Sequence, residues 1–205
     1  MRRMKRQLRS RQSPLTIGLV ALFFVILGAA VYVSQRQYEV DPMSYRPLLR
    51  LIGEVESANN YNAYYGNAGN DSIQFTEMTI AEVLQWQDEY VRQGGASDAV
   101  GRYQIMSTTL SETVQRLGIN SNNRYDSTMQ DTLAIALLER RGSKAYANGR
   151  LTRDEFAASL AQEWAALPKV LGDNPSSSYY AGDGLNRALI SVEAIQKAID
   201  PIRLK

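Results

Sequence analysis

The chain has 205 residues, with 23 Lys and Arg against 21 Asp and Glu, no His and no Cys, and a formal net charge of +2. The length suits one domain plus an appendage. Without imidazole or thiol there can be no Ser-His-Asp or Cys-His nucleophilic site, no zinc site built on those ligands and no disulfide framework, so carboxylate acid/base chemistry is the main catalytic route left.

The N-terminus differs from the rest. Arg2, Arg3, Lys5, Arg6, Arg9 and Arg11 precede any acid, and the first acid is Glu39. Leu15–Val33 then runs 19 residues without a charge. As a helix it would span about 28 Å, close to the roughly 30 Å of a bilayer core. The basic flank predicts a cytoplasmic N-terminus with the C-terminal part outside. A cleaved signal peptide is the competing reading, with Leu15–Leu27 as its apolar region and Gly28-x-Ala30 as the cleavage site. We favour the anchor. The expected organisation is a basic flank over 1–14, a transmembrane signal-anchor over 15–33, a linker over 34–46 and a globular domain over 47–200. Residues 35–205 carry a net charge of −4, which argues against a nucleic-acid partner. The basic run instead suits orientation in the membrane and anionic headgroups.

Pro47 suits the first turn of a helix whose apolar face is Leu48, Leu49, Leu51, Ile52 and Val55. Asn59–Asp71, with five Asn, two Gly and three Tyr, favours turns and short strands, with a small β-hairpin near residues 61–76. Thr79-x-x-Glu82 is a capping box opening a helix to about Arg92, stopped by Gly94-Gly95. Arg102–Ile105 reads as a short extended piece. Ser107 or Thr108 should cap the next helix, which ends at Gly118. Ser127-x-x-Gln130 reads as another capping box, before Leu133–Leu138 and the stop at Gly142. Thr152-x-x-Glu155 opens a fourth helix ended by Pro168. Asp173–Ser178 is a loop, and Leu185–Ile199 a last amphipathic helix. The fold class is mostly α, a helical globule with a small hairpin, preceded by one transmembrane helix.

Several residues have both a bland and a chemical reading. Glu56 ends the first apolar stripe. Alone it reads best as a solvated surface acid. The carbonyl end of a helix, however, favours the protonated form that a general acid needs. Glu54, two residues away, points to another face. In Gly101-Arg102-Tyr103-Gln104-Ile105, Ile105 reads as core, and Gly101 would let the backbone approach a sugar while Tyr103 and Gln104 line a cleft. Trp164 and Leu167 read first as core and second as a wall of a sugar subsite. Glu163 reads as exposed or ion-paired. Tyr180, in Tyr179-Tyr180-Ala181-Gly182, suits contact with carbohydrate.

In order, the chain shows a Leu-rich helix into Glu56, an Asn/Gly/Tyr loop, Gly101-Arg102-Tyr103-Gln104, Trp164-Ala-Ala-Leu167-Pro168 and the Tyr180–Gly182 loop. Together these resemble the lambda-type phage endolysins, peptidoglycan lytic transglycosylases of lysozyme-like fold. The resemblance covers about residues 45–198. The Glu-Ser and Gln-Ile pieces are also similar to goose-type lysozymes and soluble lytic transglycosylases. The N-terminal hydrophobic segment and the Asn62–Glu77 insert depart from the lambda type.

The resemblance implies an α+β lysozyme-like fold and cleavage of the MurNAc-GlcNAc β-1,4 bond by transglycosylation or muramidase hydrolysis. It implies Glu56 as catalytic acid, with Tyr103, Gln104, Tyr180 and Tyr64 contacting the substrate. No metal or cofactor is implied, and the partner is the peptidoglycan glycan strand. With the anchor, the expected location is single-pass in a host inner membrane or virion membrane, with the domain periplasmic. An inverting hydrolase would need a second carboxylate, and Asp71, Glu77 and Asp98 are the available ones. The reading from another class is a non-catalytic, membrane-anchored wall-binding or virion structural protein of the same fold.

Overall fold

The computed structural model describes residues 39–182 and 186–205. Val40–Leu204 forms one compact unit. The predicted membrane segment, 15–33, lies outside the described residues, and no helix among those described is long and apolar enough to cross a membrane.

The described chain is mostly helical. Helix α1 (Arg46–Ser57) follows a 3-10 turn, Pro42–Tyr45, capped by Asp41. Chain from Val40 to Arg46, inside the stretch read as a linker, is therefore folded: Val40 bridges Leu204, and Tyr45 is buried with its hydroxyl 2.7 Å from Ser143 Oγ. Pro47 sits in the first turn of α1, and Leu48, Leu49 and Ile52 are buried as the stripe predicts. The helix ends at Ala58, whose backbone turns left-handed (φ 53°).

Helix α2 (Ile80–Arg92) carries the Thr79–Glu82 capping box. Helix α3 (Ser107–Leu117) stops at Gly118, left-handed as a glycine stop requires. Its cap differs from expectation. Met106 holds the N-cap position, Ser107 is already helical, and Asp98 accepts the Ser107 N–H (3.2 Å) and its hydroxyl from a distance in sequence.

Helix α4 (Ser127–Arg140) is capped by Asp126 rather than by a Ser127–Gln130 box, and Gln130 is buried. A short helix α5 (Ser143–Ala147) was not foreseen. Helix α6 (Arg153–Leu160) has the Thr152–Glu155 box but ends at Leu160, well before Pro168. Helix α7 is Val192–Ile199, capped by Ser191, so Asn186–Ile190 is not helical. Each helix from α2 to α6 packs on the next, and α7 also packs on α1. Their apolar faces form one core that includes Leu48, Ile52, Tyr103, Leu137, Phe156, Leu160 and Ile195.

The β content among the described residues is only isolated bridges. The expected hairpin over 61–76 reduces to Tyr64 bridging Asn67. Tyr64 also bridges Val100, which pairs with Ile105. Side-chain amides do the work a strand ladder would do: Asn60 Nδ2 donates to the carbonyls of Ala68 and Asn70, and Asn70 Nδ2 to those of Asn62 and Ile73. Asn competes with strand pairing in this way, and the loop stays irregular.

Candidate active site

Glu56 stands in the last turn of α1, and its carboxyl opens on a cavity of about 420 Å³. The rest of the wall comes from Tyr65 with Ala96, Ser97 and Ala99, from the turn Tyr103–Met106 with Thr109 and Leu137 beside it, and from Glu163–Ala165 with Tyr180 and Asn186.

Burial pushes the Glu56 carboxyl from an ordinary 4.5 up to about 7, and the Ala166 N–H that it accepts at Oε1 (3.3 Å) pulls it back only in part. The carbonyl end of α1 acts in the same direction as burial. At neutral pH a substantial fraction of Glu56 therefore carries a proton that it can give up, as a general acid must.

The turn Gly101–Gln104 is not the extended piece expected. Val100 and Ile105 pair, and the four residues between them turn. Gly101 has φ +78° and lies so close to buried Gln130 Oε1 that a Cβ would collide with it. The same Gln130 oxygen accepts the Arg102 N–H (2.9 Å), while Gln130 Nε2 donates to the carbonyls of Tyr61 and Tyr125. Gln104 is itself left-handed (φ 46°), with Nε2 bonded to the Gly101 carbonyl (2.9 Å). Tyr103 is buried, and its hydroxyl donates to Asp131 Oδ1 (2.6 Å). Its carbonyl accepts from Trp164 Nε1 (3.1 Å), so Trp164 is both core and cavity wall.

Tyr180 is 42% exposed, with its hydroxyl donating to the Gln162 carbonyl (2.9 Å) and its ring at the cavity. The structure thus brings Glu56, Tyr103, Gln104 and Tyr180 to one cavity. Tyr64 is elsewhere. Its ring packs against Phe75, Trp86 and Tyr90, and its neighbour Tyr65 takes the place at the cavity. Backbone bridging explains the exchange, since neighbouring residues of an extended segment face opposite sides.

None of Asp71, Glu77 and Asp98 lines the cavity. Asp71 is exposed, Glu77 pairs with Arg124 at the surface, and Asp98 serves the start of α3. The second cavity carboxylate is Glu163, expected from the sequence to be exposed or ion-paired; it is ion-paired with its side chain buried, and its place in the cavity was not expected. Its side chain is 6% exposed and accepts from Arg140 Nη2 and Arg141 Nε, each at 2.7 Å. The adjacent Arg140-Arg141 pair was the available sign of a buried acid opposite.

A family model described as Endolysin matches residues 47–181. Comparison with curated proteins gives no match, and comparison with solved structures gives none. The matched span begins in the first turn of the Glu56 helix and ends at the Tyr180 loop, and so takes in nearly every wall of the cavity. The chain belongs to the endolysin family, the phage enzymes that degrade the host cell wall.

Proposed function

We propose that this endolysin is a lytic transglycosylase that cleaves the MurNAc-GlcNAc β-1,4 bond with Glu56 as its single proton-shuttling carboxylate. The observation that carries the proposal is the contrast within one cavity: among the described residues no cation pairs with Glu56, which holds its proton near neutrality, whereas Glu163 is committed to two guanidinium groups. Protonated Glu56 donates to the glycosidic oxygen as the C1–O bond breaks. The resulting carboxylate takes the proton from the C6 hydroxyl of the muramic acid, whose oxygen bonds to C1 and closes a 1,6-anhydro ring. The proton returns to Glu56, and no water is consumed. Gln104 and Tyr180 hold the sugar, and Tyr103 shapes the floor.

Hydrolysis would need a second free carboxylate, to activate water across the ring with inversion or to attack C1 with retention. Glu163 would have to leave both arginines to serve. Mass spectrometry of the muropeptides released from purified peptidoglycan tests this directly. Anhydro-ended products support the mechanism. Reducing-end muramic acid moves the reading to a muramidase, with Glu163 as the next residue to substitute. Glu56→Gln should abolish release and Glu54→Gln should retain it. A wild-type protein that pellets with peptidoglycan and releases nothing would be a binding protein. We also place the domain outside the inner membrane on an uncleaved Leu15–Val33 anchor, on the strength of its length and the six cations before it.

A further inference from the structure

We propose that Arg102 is a positioning residue, aligned by Asp131, that clamps the C-terminal turn of α1 and so keeps the Glu56 carboxyl withdrawn from water. This rests on Glu56 being the catalytic acid. The last turn of a helix lacks partners for its carbonyls and frays unless something holds it. Here three contacts come from one residue. Arg102 Nε and Nη2 both donate to Asn59 Oδ1, at 3.1 and 2.8 Å. Ser57 Oγ donates to the Arg102 carbonyl at 2.8 Å. Asn59 is left-handed (φ 62°) and its N–H caps the Gly53 carbonyl (2.8 Å), so holding its side chain holds the helix stop.

The guanidinium reaches this place because α1 makes room for it. A Cβ at Gly53 would stand 2.5 Å from Arg102 Nε. The group is then oriented from the other side. Arg102 Nη1 donates to the Tyr61 hydroxyl (2.6 Å), and the hydroxyls of Tyr61 (2.9 Å) and Tyr103 (2.6 Å) both donate to Asp131 Oδ1. Asp131 Oδ1 lies 3.5 Å from Arg102 Nη1, and the guanidinium carbon lies over the Tyr61 ring at 5.0 Å. The planar fork meets Asn59 and Tyr61 from separate nitrogens in a fixed geometry, which the compact ammonium of a lysine does not reproduce.

The clamp reaches the cavity by two routes. One is the helix end itself, where Glu56 precedes Ser57. The other is the turn, where the Tyr103 carbonyl holds Trp164, two residues before the Ala166 N–H that touches Glu56. The titratable groups sharing the cavity with Glu56 are Glu163, tied to Arg140 and Arg141, and the phenols of Tyr65, Tyr103 and Tyr180.

The test uses the full-length protein with Arg102→Lys and Asp131→Asn, and the surface variant Arg124→Lys as control. The Glu56 carboxyl is titrated by carbon-13 NMR, and kcat, KM and the pH profile are measured on defined glycan strands. Loosening the helix end admits water, so the Glu56 midpoint should fall from about 7 toward 4.5. The alkaline limb of the rate should move to lower pH with it. For Arg102→Lys, kcat should fall about tenfold with KM within about twofold, as a small misplacement of the acid would give. Asp131→Asn should act in the same direction and less. A midpoint and limb left at the wild-type position in both variants would overturn the proposal, even if kcat fell. Retained cleavage by Glu56→Gln would instead overturn the role of Glu56 as acid, and the NMR midpoint would still decide whether the clamp exists.

Discussion

Replacing Glu56 by Gln should remove activity and, at alkaline pH, make the protein more stable. Gln keeps the shape and an oxygen for the Ala166 N–H. What it removes is a charge that is only partly hydrated. Burial raises the folded-state value from 4.5 to about 7. Below 4.5 both folded and unfolded chains carry the proton, and the stabilising contribution of the neutral group is complete. Between 4.5 and 7 the folded chain keeps the proton and the unfolded chain has lost it, so wild-type stability falls as pH rises. Above 7 the loss is complete, at most about 3 kcal/mol for a displacement of this size. Gln has no proton to lose, so its stability relative to wild type should rise by up to that amount between about pH 4 and about pH 8.5. Urea unfolding of both proteins at the two pH values, on chains starting at residue 35, reads the difference; other titrating groups cancel. A Gln-minus-wild-type difference that does not change with pH would refute the desolvation of Glu56, and with it the reason to assign it the acid's role.

The remaining predictions concern other parts of the site and the anchor. Gly101→Ala puts a Cβ against Gln130 Oε1 at φ +78°, so urea unfolding should show a loss of about 1–3 kcal/mol, with activity reduced in proportion to folded protein. Tyr180→Phe deletes the hydroxyl that fixes the ring to Gln162, and KM on glycan strands should rise about fivefold while kcat changes little, the size of one hydrogen bond. Full-length protein should stay in the membrane pellet after carbonate extraction, while the chain lacking residues 1–34 should be soluble and still cleave peptidoglycan. Release with residues 1–30 missing would show a cleaved signal peptide, and release with the N-terminus intact a signal-anchor-release lysin.

Features written in local chemistry were readable in advance. Thr79 with Glu82 and Thr152 with Glu155 form the capping boxes their spacing predicts, because a box needs only residues three apart. The buried stripe of α1 was readable for the same reason, and it put Glu56 at a helix end. Errors came where partners lie far along the chain. Gln130 fits the third position of a box, yet its amide meets Arg102, Tyr61 and Tyr125, and Asp126 caps the helix instead. Pro168 limits how far α6 could run but does not end it; the chain leaves the helix at Leu160 to place Trp164 against Tyr103. Tyr64 and Tyr65 were indistinguishable because nothing local tells which of two adjacent tyrosines faces inward.

Several of the places where this chain breaks local rules lie at or next to the cavity. Glu56 stands at the carbonyl end of a helix, where an acid is disfavoured, and is partly withdrawn from water, where a charge is disfavoured more. Ala58 and Asn59 just after it, and Gln104 across from it, are left-handed without being glycine. So is Val170, a β-branched residue in the segment that Ser178 and Pro168 bring back toward the Tyr180 loop. Each of these choices costs free energy locally and persists only because distant contacts enforce it. Arg102 enforces the turn at Asn59, Gln130 the turn at Gly101, and Trp164 the wall behind Ala166. A carboxyl can keep a high proton affinity only in a site that cannot relax to hydrate it. The same contacts that make Glu56 a poor choice for stability are therefore those that make it usable as an acid.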